Sequence, residues 1–179
     1  MSIHAMIDLE TLGTDPNSVI ISLGAIKFNP HTDVEPDGGL YIKPDIDEQQ
    51  DLGRTINDDT LEWWGRQDSK VRDEALSDEG RSTLEDMTNQ LNKFLVGVDY
   101  IWAQGPAFDI VMLEDLYKNM KLPTPWNFWQ IRDSRTLFSL MPIDPRKEIQ
   151  QDLHNALADA YYQSVCVQKT YKALGIKGN

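Results

Sequence analysis

The sequence predicts an α/β fold on a mixed five-stranded sheet, an antiparallel meander of the first three strands followed by βα units, with helices flanking it. Three observations carry this. Apolar segments at residues 3–9, 19–28 and 39–43 follow one another without a helical stretch between them, and strands joined that way pair antiparallel. Beyond residue 58 the apolar spacing turns helical and alternates with short apolar runs at 100–104 and 129–132. A long helical stretch over 153–174 then closes the chain at Gly175, a residue type that readily ends a helix.

Residues 3–9 form a short strand that runs into Asp8-Leu9-Glu10. Val19 to Phe28 (VIISLGAIKF) is longer and largely apolar, as a buried strand requires. Asn29-Pro30-His31-Thr32-Asp33 breaks the chain, and Gly39 to Lys43 is the third strand. Residues 44–58 are polar and Asp-rich, lack the spacing of a calcium loop, and read as an exposed surface loop. A helix spans Asp58 to Gln67, capped by Asn57 or Asp58. Ser82-Thr83-Leu84-Glu85 matches a capping box and opens a helix with Leu84, Met87, Leu91, Phe94 and Leu95 on one stripe. Tyr100 to Gln104 is the fourth strand, Gly105-Pro106 interrupts it, and a helix runs through Met120. Trp129 to Arg132 is a short fifth strand.

The 179 residues fit a single domain, and 40% hydrophobic content with five Trp marks it as globular. The lone Cys166 excludes an intrachain disulfide framework and reads as a small apolar helix residue in a reducing compartment. No apolar run approaches the roughly 20 residues of a membrane helix, and no basic leader precedes the first strand, so no membrane association and a cytoplasmic location are expected. A net charge of −12 argues against a protein that coats nucleic acid non-specifically, but not against one that grips only the end of a strand. Arg132, Arg135, Arg146 and Lys147 concentrate the cations in one segment, either as a solvated basic loop or as a contact for phosphates.

Five residues stand out: Asp8 and Glu10, Asp109, and His154 with Asp159. Carboxylates clustered on or beside apolar segments repel one another and are costly to desolvate. Asp8 and Glu10, two apart on a strand, point to the same face. Asp109 sits in the first turn after a strand, where a helix N-terminus tolerates an acid. His154 and Asp159, taken as helical, lie about 140° apart and both can border a cleft. Divalent cations would remove the electrostatic objection. Mg2+ and Mn2+ prefer oxygen ligands, and a pair of them roughly 3.5–4 Å apart can stabilise both the attacking and leaving oxygens of a phosphodiester displacement. A histidine near neutral pKa can take the proton from the attacking water.

Asp8-Leu9-Glu10-Thr11, Phe108-Asp109 and His154-Asn155-Ala156-Leu157-Ala158-Asp159 resemble, in order, the motifs of the DEDDh (DnaQ-like) 3′→5′ exonucleases of the ribonuclease H-like superfamily. Thr60-Leu61-Glu62-Trp63-Trp64 with Gln67, and Asp133-Ser134-Arg135-Thr136-Leu137, look like the branch holding mycobacterial-type exoribonucleases and the phage exonuclease DexA. The resemblance implies a three-layer ribonuclease H-like fold and two divalent metal ions, Mg2+ or Mn2+. It implies that Asp8 bridges both ions, that Glu10 and Asp159 complete the site of the water-activating one, and that Asp109 supports the second. His154 would be the general base. Thr11 and Leu12 occupy positions where relatives contact the terminal nucleotide, and Phe108 is a further candidate substrate contact. Trp63 and Trp64 are adjacent on a helix and cannot both face one core, so one can pack while the other stacks on a base, unless both pack. Arg135 is the candidate phosphate contact, and Asp133 either orders its loop or is solvated. His4 and His31 read as structural or exposed, and Trp102 as core.

The implied activity is release of nucleoside 5′-monophosphates from single-stranded RNA or DNA 3′ ends. Gln104-Gly105-Pro106 replaces the His-Asn that many relatives carry before Ala-x-Phe-Asp, which opens the question of substrate preference. Relatives often form homodimers, and an exposed Trp could support such an interface. A silent ribonuclease H-like binding or polymerase-associated module is the alternative, though such a module would be expected to have lost one of the five residues. An endonuclease on the same fold is a third option.

Overall fold

The computed structural model describes residues 1–148 and 154–178. Six strands form one mixed sheet: β1 (His4–Thr11), β2 (Ile20–Phe28), β3 (Asp37–Pro44), β4 (Arg81–Ser82), β5 (Tyr100–Ala103) and β6 (Ile131–Asp133), in the order β4-β3-β2-β1-β5-β6. The pairs β1–β2 and β2–β3 are antiparallel, as the meander requires. The pairs β1–β5, β5–β6 and β3–β4 are parallel. Among the described residues, seven α-helices accompany them: α1 (Ile46–Asp51), α2 (Asp58–Gly65), α3 (Ser69–Leu76), α4 (Leu84–Phe94), α5 (Asp109–Asn119), α6 (Ser134–Phe138) and α7 (Ala156–Leu174).

Alternation along β1 divides the core into two layers. Ala5, Ile7 and Leu9 pack with Leu84, Met87 and Leu91 of α4 and with Ile110, Leu113 and Leu116 of α5. Met6 faces the other way, with Trp102, Phe138, Ala160, Cys166 and Val167 beneath α6 and α7. A third cluster, Leu12, Val19, Ile21, Trp64 and Ala75, lies under α1–α3. Trp102 is core as expected, and His4 is buried too, accepting from Trp102 Nε1 at 2.9 Å. Burial first, then the neighbouring His31, lowers the His4 pKa to about 4, so it is neutral. No helix among the described residues is long and apolar enough to cross a membrane.

Four local expectations require correction. The sheet has six strands because Arg81 draws the short β4 alongside β3, its guanidinium donating to Ile21 O, Pro44 O and Ala75 O. That contact also moves the α4 cap from Ser82 to Thr83, which accepts from the Asp86 N–H. Residues 44–58 are not simply a loop. Asp45 caps α1, and the fully buried Gln49 joins the start of β2, accepting from Ile20 N and donating to Ile20 O at 2.8 Å each. The last strand begins at Ile131, since Phe128–Gln130 forms a 3-10 turn closed by Gln130 Oε1 on the Asn127 N–H. The expected start of the closing helix at Leu153 lies outside the described residues, and the observed helix begins at Ala156.

Arg54 ties the β1–β2 loop to α5. Its side chain is fully buried, donating to Ser18 O at 2.7 Å and to Asp115 Oδ2 at 2.9 Å. Arg54→Ala is expected to cost about 3 kcal/mol, the low end for breaking a buried pair, because Asp115 keeps solvent contact. Urea denaturation of the variant measures it, and a loss below about 1 kcal/mol would show that the loop is held by other means.

Candidate active site

Parallel pairing sets β5 beside the first half of β1, so that β1 runs on past the C-terminal end of β5, where α/β sheets leave a crevice. Asp8 and Glu10 stand there on the β1 face that α7 covers, opposite Gly24 and Ser22 of β2. Gly24 determines how near α7 comes. A Cβ at that position would overlap the Ala156 carbonyl and the Leu157 nitrogen. Ala156, Ala160 and Ser164, four apart on the helix and fully buried, give α7 the narrow side that fits this approach.

His154 precedes the helix rather than belonging to it. Asn155 is the N-cap, accepting from the Ala158 N–H at 3.0 Å, so the helical angle expected between His154 and Asp159 does not apply. The His154 backbone has φ 87°, a conformation that costs a non-glycine residue roughly 1–3 kcal/mol. Its N–H donates to Asp159 Oδ2 at 3.0 Å, which holds the turn. The result is convergence: one ligand atom from each of Glu10, His154 and Asp159 falls within 4.8 Å of the others. Trp63, 39% exposed, meets the imidazole edge to face with centroids 4.9 Å apart. Asp109 arrives from the other layer as the first residue of α5, and its Oδ1 accepts from the Leu9 N–H at 3.0 Å.

These elements enclose a cavity of about 300 Å³ lined by Asp8, Glu10, His154, Asp159, Gln104 and Gln163, with Arg146, Tyr162 and Cys166. A second cavity of about 460 Å³ shares Leu9 and Glu10 with it and is walled by Thr11, Trp63, Trp64 and Phe108. Burial, then Asp109, Glu10 and Asp159, push the Asp8 carboxyl far above the usual carboxylate range. Burial followed by Asp159 and Asp109 raises Glu10 to about 8. Burial raises Asp109 to about 7, against the Leu9 N–H and Arg135, which pull it down. Burial also raises Asp159, whose Oδ1 is buried with no hydrogen-bond partner among the described residues. An all-oxygen donor set beside an imidazole, mutually repelling and one atom short of a partner, fits hard divalent cations.

The chain matches the family described as 3'-5' exoribonuclease Rv2179c-like domain over residues 3–171. The chain belongs to this family. Membership in the Rv2179c-like family places it among 3′–5′ exonucleases. It is 29% identical over 157 residues to the exodeoxyribonuclease of Enterobacteria phage T4, covering 73% of this chain and 68% of that protein. Its fold is similar to E. coli Exonuclease I in complex with a dT13 oligonucleotide (TM-score 0.65, 16% identity, 96% of this chain). The chain spans 41% of that enzyme's length. Exonuclease X in complex with 5′ overhanging duplex DNA is similar along nearly its whole length (TM-score 0.62, 16% identity, 96% of this chain and 93% of that one). These likenesses bear out the ribonuclease H-like three-layer fold.

The other residues singled out from the sequence of this Rv2179c-like chain divide by place. Thr11 is buried, its hydroxyl donating to Gly13 O at 2.7 Å while its carbonyl accepts from Trp64 Nε1 at 3.0 Å. Trp64, 1% exposed, therefore packs, and Trp63 is the ring left at the site. Leu12 is buried against Trp64 in the third core cluster and lines neither cavity. Phe108 lines the second cavity. Arg135 stands against Gly105 and donates to Gln104 O at 3.3 Å. Asp133 is an organiser rather than a solvated acid, accepting from the Gly105 and Arg135 N–H groups and from Thr136 Oγ1. The basic cluster does not converge, since Arg132 lies over the Tyr100 ring at the start of β5. Sequence reasoning missed Gln163, whose Nε2 donates to Asp8 Oδ1 at 3.0 Å. Its position four residues after Asp159, on the same helix face, was the available signal.

Proposed function

We propose that residues 1–179 act as one metal-dependent exonuclease domain that removes nucleoside 5′-monophosphates from single-stranded RNA or DNA 3′ ends. The observation that carries this is the convergence of Glu10, His154 and Asp159 within 4.8 Å at a cavity that also holds Asp8. Asp8, Glu10, Asp109 and Asp159 would hold two divalent cations, Mg2+ or Mn2+. When bound, the cations supply charge for the attacking and leaving oxygens. An imidazole nitrogen of His154 accepts the proton of the attacking water, with the Trp63 ring limiting how the imidazole tilts. The second cavity takes the terminal nucleotide, with Trp63 and Phe108 as its aromatic walls, Thr11 at its edge and Leu12 and Trp64 supporting it from the core. Arg135 steadies the loop beside Asp109 and lends positive charge to the phosphate side. A lone buried Cys166 suits a cytoplasmic setting.

Product mapping on matched 5′-labelled RNA and DNA, single- and double-stranded, with Mg2+ or Mn2+, tests the reading. A ladder shortening from the 3′ end by single nucleotides is expected, with circular substrates left intact; cleavage of circles would overturn the exonuclease assignment. The sugar degraded faster identifies the substrate. His154→Ala is expected to slow turnover by roughly 10²–10⁴, the usual share of a general base. An undiminished rate in single-turnover kinetics would remove His154 from that role.

A further inference from the structure

We propose that Gln163 of α7 is a positioning residue, holding Asp8 in its cation-binding orientation while its amide oxygen accepts a hydrogen bond from water that a bound cation carries. The proposal rests on the metal-dependent reading above. Gln163 Nε2 donates to Asp8 Oδ1 at 3.0 Å, the one hydrogen bond that the Asp8 side chain makes among the described residues. Without it, a carboxylate repelled by Asp109, Glu10 and Asp159 has nothing to fix its rotamer. The other end of the same amide, Gln163 Oε1, is buried with no partner among the described residues.

Gln104 Oε1, lining the same cavity, is in the same condition. Two buried carbonyl oxygens without donors at one cavity call for a donor from outside the chain, because desolvated acceptors left unpaired are destabilising. The lining does not provide one readily. Three of its members are carboxylates, the Arg146 guanidinium is engaged with Asp144, and the His154, Tyr162 and Cys166 side chains make no hydrogen bond to either amide oxygen. Hard divalent cations retain several waters, each presenting O–H donors, so loading the site would satisfy the acceptors. A neutral amide suits this place. It donates towards the acid and accepts towards the water, whereas a carboxylate would add charge to a crowded cluster.

The test uses the full chain without substrate, following unfolding temperature against Mg2+ and, separately, Mn2+ concentration, with an EDTA baseline. Gln163→Met keeps the length and removes the donor; Gln163→Asn keeps the amide but falls short of Asp8. In both variants the half-saturating metal concentration is expected to rise 10- to 100-fold, the usual effect of losing a partner that orients a ligand. The EDTA baseline is expected to move little. At saturating metal, kcat should recover further than it does at low metal, with the KM for substrate nearly unchanged. A lowered baseline with unchanged metal midpoints would mean that Gln163 only packs, and would overturn the proposal. Absence of any metal-induced shift in the natural sequence would instead sink the metal-dependent reading itself.

Discussion

Asp8→Asn is expected to abolish exonuclease activity and, in the same protein, to raise the unfolding temperature of the metal-free form at pH 8. The two effects share one cause. Burial, joined at Asp8 and Glu10 by the neighbouring acids, lifts the folded-state pKa values of these half-buried to buried carboxylates above the unfolded ones: Glu10 at about 8, Asp109 at about 7, Asp8 and Asp159 also raised. The folded state therefore holds more protons than the unfolded state between roughly pH 4 and pH 8. Stability from these groups is fully present below that window and is lost as pH rises through the folded values. Asparagine keeps an acceptor for Gln163 and removes one of the repelling charges. A gain of about 1 kcal/mol, or roughly 2–4 °C in a chain of this size, is the expected scale. Thermal scans in EDTA at pH 5 and pH 8 read it out, and the gain should appear only at the higher pH. Adding Mg2+ at pH 8 should stabilise the natural sequence by mass action and the variant much less. Retained nuclease activity would sink the site, and a lowered metal-free unfolding temperature at pH 8 would sink the electrostatic account.

Gly24→Ala should be nearly as damaging, though Gly24 carries no chemistry. The added Cβ overlaps backbone atoms of Ala156 and Leu157, which cannot rotate away as a side chain would. The start of α7 must retreat from β2, carrying His154 and Asp159 away from Glu10. Overpacking at this contact is expected to cost about 3 kcal/mol, roughly 6–12 °C. Misplacement of a catalytic group by about 1 Å can lower the rate 100-fold. Gly65→Ala is the control: no atom lies within 4 Å of the new Cβ, and at a helix end the change should be neutral or slightly stabilising. Wild-type activity and unfolding temperature in Gly24→Ala would show that α7 can settle elsewhere without loss.

Both predictions turn on residues that differ in how readily the sequence discloses them. Asp8 was legible because it ends an apolar strand two residues before another acid, a spacing that fixes a common face. Gly24 was not, because its significance lies in which backbone sits above it. The strand meander, α4, α5 and α7 were legible for the same reason as Asp8, since their apolar periodicity reports the face they bury. The helix α1 and the strand β4 were hidden by polar composition, because Gln49 and Arg81 satisfy backbone groups of distant segments. His154 was legible as a site residue but misplaced on a helix, since its left-handed backbone depends on a bond from Asp159.

By itself the sequence determined the α/β class, the strand meander and the identity of the acids and histidine, because strand and helix periods and ordered motifs are properties of the chain. Only the tertiary structure decided that Trp63 rather than Trp64 faces His154, that Leu12 belongs to the core, and that Gln163 reaches Asp8. Those are contacts between segments up to 155 positions apart, set by how α2 packs beside the end of β1 and how closely α7 packs on β2, which local pattern does not encode.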